Sequence, residues 1–218
     1  MQSIIRFSLF GNFEKFSTNN LDLYMKLIDF FGKREYKPAT ANELQLQPNG
    51  QSRVLIMPNF LNEMMGTSVE ITSNRINFIK NINNVIEIEK LGKEFTNNFF
   101  DFLDIFVTDM SIMSNRLALN CDIFKQETIS EMPTLSRYYD DVNKIEMSVR
   151  NVARKEVENE QINIIIEKYA TTQMGLAKYS YDINSIAENQ AFRFDSSNIH
   201  KMYDLFIAIA VEIEEGLK

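Results

Sequence analysis

Apolar and polar residues alternate over residues 2–10, where Ile5, Phe7 and Leu9 interleave with Arg6 and Ser8, so a strand is predicted there. The period changes to that of a helix over 20–31, with Leu21, Tyr24, Leu27, Ile28 and Phe31 on one stripe and Gly32 placed as a C-terminal cap. A polar loop holding Pro38, Pro48 and Gly50 follows, then a short strand from Arg53 to Met57 that Pro58 stops. Residues 68–80 read as a hairpin. Val69 and Ile71 alternate with Glu70 and Thr72, Ser73-Asn74 forms the turn, and Ile76 and Phe78 continue the return strand. A long helix is predicted over 86–108, because Ile88, Leu91, Phe95, Phe99, Phe102 and Phe106 recur three and four residues apart.

The second half runs through the same kinds of element. Leu117, Leu119, Cys121 and Ile123 mark a strand, and 127–140 holds a weak helix broken by Pro133. Strands begin at Ile145, Ile162 and Tyr179. Asp195, Ser196 and Ser197 offer N-caps for a helix over 197–216 that Gly216 ends. The expected class is α+β, a mostly antiparallel sheet with packed helices, arranged as two similar β-α-β-β-β-α halves at 1–110 and 111–218. Strands in series, without a helix after each, argue against a doubly wound parallel sheet. No Ser- or Pro-rich linker lies near 110, so the halves are expected to pack together, and one continuous domain fits the same pattern.

Composition narrows the chemistry. One Cys excludes an intramolecular disulfide and a Cys-cluster zinc site, and one His excludes any site that needs two imidazoles. Cys121 falls on a strand's apolar face, the setting of an inert thiol. His200 falls in the first turn of the last helix, with Asp204 one turn on as a partner. The seven glycines form no phosphate loop, and no Ser stands in a nucleophile elbow. Three carboxylate groups, Asp101 with Asp104, Asp140 with Asp141, and Glu156 with Glu158 and Glu160, are the remaining catalytic option, and each also reads as a solvated face. No catalytic residue, metal or cofactor is assigned.

The net charge of -7 and the pI of about 4.9 disfavour a nucleic-acid footprint. The acidic C-terminal helix disfavours a membrane surface. The chain starts without a signal-peptide layout, so the expected compartment is cytoplasmic. The 23 asparagines fit an AT-rich genome, that of a low-GC bacterium or its phage. Two Met-rich stretches look suited to contact: Phe60, Leu61, Met64 and Met65 in a connection after Pro58, and Met110 with Met113. Glu212, Glu214 and Glu215 sit at the unfavourable end of the helix dipole, where a partner's basic groups would compensate them. Arg150, Arg154 and Lys155, with Arg137 and Lys144 upstream, form a candidate anion site.

The expected function is therefore a non-enzymatic interaction protein, of the antitoxin, immunity, chaperone-like or phage counter-defence kind. Its partner would be another protein or a second copy of itself. The alternatives are a small-molecule or nucleotide binder with an apolar pocket, or a carboxylate-dependent Mg²⁺ enzyme.

Overall fold

The computed structural model describes residues 2–90, 92–108, 113–127, 129, 146–171 and 175–216. Nine strands build one antiparallel sheet: β1 (Ser3–Gly11), β2 (Lys37–Leu46), β3 (Ser52–Asn62), β4 (Thr67–Ile71), β5 (Arg75–Ile82), β6 (Ser114–Lys125), β7 (Glu146–Val157), β8 (Glu160–Thr171) and β9 (Ala177–Ser185). Their spatial order is β2-β3-β4-β5-β1-β6-β9-β8-β7. The helices are α1 (Leu21–Gly32), the short α2 (Glu87–Lys90), α3 (Lys93–Phe102) and α4 (Ser196–Gly216). The molecule is thus mixed α+β with sheet predominant, as the alternating pattern implies.

Helices cover one side of the sheet. Phe7 on β1 and Phe78 on β5 face each other across the ladder and point the same way. Phe95 and Phe99 of α3, Phe31 of α1 and Tyr203 of α4 pack on them with ring centroids 4.8–6.2 Å apart. Each such ring removed from water stabilises the fold by about 1.5–3 kcal/mol. Tyr203 adds a hydrogen bond from its buried hydroxyl to the carbonyl of Ser8. The N-terminus of α4 is capped by Asp195, whose Oδ1 accepts the Asn198 N–H at 2.8 Å.

Several local expectations change. The segment after α1 is a strand, β2, where a loop was expected. Pro38 fits there because β2 is an edge, where a missing N–H costs no ladder bond. β3 does not stop at Pro58 but runs on to Asn62, so Phe60 and Leu61 lie in the strand and only Glu63–Gly66 forms the connection. The strand changes phase at this point. Its buried positions are Leu55 and Met57 before Pro58, and Phe60 and Asn62 after it. At the change, the Asn59 side chain accepts the Ile71 N–H at 3.1 Å, in the place of a backbone carbonyl.

The long helix of 86–108 is broken. Gly92 starts α3, and a Cβ there would sit 2.8 Å from the Ile88 carbonyl oxygen, so only glycine fits. A π-helical stretch, Leu103–Thr108, extends α3. Gly32 is the last residue of α1, and the left-handed residue that follows is Glu35 (φ 63°). The β4–β5 turn forms where expected, without a positive φ at Asn74; the Glu43 carboxylate instead accepts from the N–H and hydroxyl of Ser73. Positive φ occurs in the β7–β8 turn, at Glu158 (53°) and Asn159 (64°), as a two-residue hairpin with matching twist requires. The weak helix over 127–140 lies almost wholly outside the described residues.

Candidate functional site

Two surfaces stand out. The first is the outer face of the β2–β3 hairpin. Cross-strand partners share a face, and here Leu44 opposes Val54, Asn42 opposes Ile56, and Leu46 opposes Ser52. The phase change at Pro58–Asn59 turns Leu55 and Met57 into the core, which sends Val54 and Ile56 outward. Leu44, Leu46, Val54 and Ile56 are 65%, 80%, 57% and 40% exposed. Four neighbouring aliphatic chains in water form a patch that folding leaves unburied.

The second surface is the side of the sheet opposite the helices. Ile5, Phe7 and Leu9 face the helices, so Ile4, Arg6, Ser8 and Phe10 face away. One row across this side runs Asn59, Glu70, Asn77, Ser8, Ala118, Asn184, Asn163 and Arg154. Its side chains bond along the row. Ser8 donates to Asn77 (2.9 Å) and Asn77 to Glu70 (3.0 Å); Arg154 donates to Asn163 (3.0 Å). Four of the 23 asparagines stand in this row, where a short amide that both donates and accepts can bridge strands.

The residues singled out from the sequence scatter. Phe60 is buried and stacks on Phe31 at 4.3 Å, so it belongs to the core. Leu61, Met64 and Met65 are exposed, and Met64 is 89% so. Met113 is exposed; Met110 lies outside the described residues. Glu212 and Glu215 are exposed, whereas Glu214 is buried and occupied. Arg150 and Arg154 share the face of β7 opposite the described helices, while Lys155 alternates to the other side. Arg137, Lys144, Asp140 and Asp141 lie outside the described residues.

The carboxylate groups diverge. Asp101 pairs with Arg34 at 2.8 Å, while Asp104 accepts from Ser196 at 2.8 Å and lies 3.3 Å from His200 Nε2. His200 thus meets Asp104 rather than Asp204, and its ring stacks on Phe100 at 4.1 Å. The Ser196 hydroxyl points at the carboxylate and not at the imidazole, so these three do not form a nucleophile-and-base pair. Glu158 pairs with Lys201 and Glu160 with Arg193. Among the described residues no three His, Cys, Asp or Glu side chains come together as a metal site. Burial, followed by the charges of Asp122 and Glu214, pushes the Cys121 thiol far above its ordinary range, away from the reactive thiolate.

A cleft of about 650 Å³ lies between α1 and the π-helical stretch, floored by Leu23, Phe30 and Phe106. Lys33 and Arg34 on its rim are already neutralised by Asp29 and Asp101.

The densest titratable cluster lies where β6, β8 and β9 meet the end of α4. Lys168 and the Tyr179 hydroxyl both donate to Glu127; Lys125 pairs with Glu214 at 2.9 Å, and the Tyr181 hydroxyl donates to Glu214 at 3.0 Å. Desolvation raises the Glu127 pKa, but the bonds from Lys168 and Tyr179 outweigh it and hold the carboxyl below its usual value. Desolvation and the bond to Glu127 raise Tyr179. Lys168 is raised too, its bonds outweighing desolvation. Each group is held in its neutral-pH state, which suits a structural tie rather than proton transfer. A depressed carboxyl contributes stability that is present above its unfolded pKa, near 4.5, and is lost as pH falls through its folded value. Glu127→Gln should therefore be less stable than wild type at neutral pH, and the gap in urea midpoints should shrink below about pH 4.5. A gap constant across that range would remove the tie from the account.

No family model, curated protein or solved structure matches this chain. No described helix is long and apolar enough to cross a membrane.

Proposed function

We propose that this chain is a non-enzymatic, cytoplasmic protein-binding protein that engages its partner through the outer face of the β2–β3 hairpin. The observation that carries this reading is the exposed quartet Leu44, Leu46, Val54 and Ile56. Contiguous apolar patches on a folded surface mark interaction sites. A buried Leu or Val is worth about 1.5–3 kcal/mol, and here that gain is left to a partner. The exposed Leu61, Met64 and Met65 around the β3–β4 turn supply further adaptable contact. Antitoxin, immunity, chaperone-like and counter-defence roles all use such a surface. A duplicated β-α-β-β-β-α origin belongs to the same proposal. β1 and β6 lying side by side, with β5-β4-β3-β2 running outward on one flank and β9-β8-β7 on the other, supports it, although β2 gives the first half one strand more than that pattern.

The test is Leu44→Thr with Leu46→Thr and Val54→Thr. These side chains support no core, so stability should change by no more than about 0.5 kcal/mol each. Co-purification of the partner from the source cell should fall by about tenfold or more. Undiminished capture by a folded variant would refute the hairpin as the contact. A small-molecule pocket has less support, because two of the three cations lining the α1 cleft, Lys33 and Arg34, are already paired. A carboxylate-dependent metal enzyme also has less, because the acidic pairs diverge.

A further inference from the structure

The arginines of this acidic chain are not spread evenly. Arg137 lies outside the described residues; of the other eight, Arg34, Arg53, Arg154 and Arg193 each pair with a carboxylate. The remaining four, Arg6, Arg75, Arg116 and Arg150, pair with no described carboxylate, and all four occupy the side of the sheet opposite the described helices. The strand registers place them there. Arg6 alternates with the buried Ile5 and Phe7, Arg75 and Arg116 both lie directly opposite Phe10, and Arg150 opposes Glu167.

Four acids of this side each have an oxygen engaged elsewhere. Glu70 accepts from Asn77, Asp182 accepts from Asn184 at 2.8 Å, and Glu167 accepts from Ser148 at 3.1 Å. Asp122 takes both Lys178, at 3.1 Å, and Ser180, at 2.7 Å. The face therefore holds four arginines without an ion pair, beside carboxylates that bond to other side chains. Two of the arginine donors, the Nε atoms of Arg6 and Arg116, are shielded from water and have no hydrogen-bond partner. Orphaned donors of this kind are uncommon in folded proteins and ask for an acceptor from elsewhere. Phe10 lies between Arg75 and Arg116, with the Arg116 guanidinium 4.9 Å from its ring centroid. This gives the charged centre an apolar anchor of the sort that dominates interfaces.

We propose that the face of the sheet opposite the described helices docks a partner protein surface that presents carboxylates to Arg6, Arg75, Arg116 and Arg150. Guanidinium forks match carboxylates two bonds at a time. A polypeptide fits better than a nucleic acid. The six acids on this face, the four above with Glu146 and Glu156, would oppose a continuous polyphosphate, as would the net charge of -7, whereas a protein surface can interrupt its carboxylates. The proposal rests on the protein-binding reading but uses a different surface from the hairpin.

The experiment titrates the full chain with a fluorescent oligoglutamate peptide and, separately, with an oligothymidylate strand of equal charge, at low salt. The glutamate peptide should bind. Replacing the four arginines by glutamine should weaken binding about tenfold or more. Replacing the exposed Lys26, Lys90 and Lys93 on the helices should leave it within about twofold. If the quadruple variant does not fold, Arg75→Gln with Arg150→Gln is read in the same way against a smaller loss. Absence of peptide binding, equal loss in the arginine and lysine sets, or tighter binding of the thymidylate strand would each overturn the proposal. Loss of partner capture by the hairpin variant alone, with no oligoglutamate binding, would overturn this docking face and leave the protein-binding reading standing.

Discussion

Replacing Phe78 with alanine is expected to lower the unfolding free energy by about 3–5 kcal/mol, a large share of a single domain's stability. Phe78 is fully buried on β5 next to the central strand, and rings from two helices converge on it. Phe99 and Phe102 of α3 lie 4.8 and 5.6 Å away, and Phe31 of α1 lies 6.2 Å away. Truncation removes the ring's own burial and leaves a cavity whose walls belong to three separate elements, so no single side chain can refill it. Phe78→Leu keeps most of the volume and should cost less than half as much. Urea titration followed by circular dichroism measures both. A loss below about 1 kcal/mol for Phe78→Ala would mean that α3 and the sheet are not packed through this ring.

The second large effect is expected at Glu214, which the sequence presents as an exposed acid at a helix end. Its side chain is only 4% exposed and is shared between Lys125 and the Tyr181 hydroxyl. Burial, then the neighbouring Glu214 carboxylate, push the Tyr181 phenol well above its ordinary range, so that it stays a donor at neutral pH. Removing one member of such a group strands the others. Glu214→Ala should cost about 3–5 kcal/mol, whereas Tyr181→Phe, which removes one donor and leaves the ion pair, should cost about 1 kcal/mol. If the pair with Lys125 is responsible, Lys125→Met in the Glu214→Ala background should add little. Additive losses in that double-mutant cycle would show that the two side chains act separately. Glu212 and Glu215, which do face water, should tolerate glutamine with changes within about 0.5 kcal/mol.

Glu214 also shows what a single sequence conceals. The periodicity of α4 places Ile199, Tyr203 and Phe206 on the inner stripe, and all three are buried. It cannot show that Lys125, some ninety residues earlier, waits at the same end of the helix to accept a buried carboxylate. The sheet's alternating strands were legible for the same reason as the helix stripe, because one side is buried against helices and the other is not. The β2 edge was not. Pro38 and a polar composition resemble a loop, and only the neighbouring β3 shows that Leu44 and Leu46 are strand residues. The hairpin patch was hidden further by the phase change at Pro58–Asn59. A regular alternation through β3 puts Val54 and Ile56 on the same side as Phe60 and therefore inside. The unpaired arginines were hidden by their spacing. Arg6, Arg75 and Arg116 are isolated polar residues on three separate strands, and only the register joins them into a group. The Arg150 and Arg154 pair was visible because it lies on one strand.

The position of β1 has a consequence for how the chain is made. β1 pairs with β5 on one edge and β6 on the other, and among the described residues no other ladder joins the β2–β5 flank to the β6–β9 flank. Its partners come late: Ile4 pairs with Asp122 and Leu9 with Leu117. At a synthesis rate of about 5–20 residues per second, β1 leaves the ribosome roughly 5–20 s before β6 exists to meet it. Throughout that interval Ile5, Phe7 and Leu9 have half a sheet at most to cover them. The strand that unites the finished molecule is therefore the one that spends longest as an unprotected, aggregation-prone edge during birth, and the stage at which a ribosome-associated chaperone has most to shield.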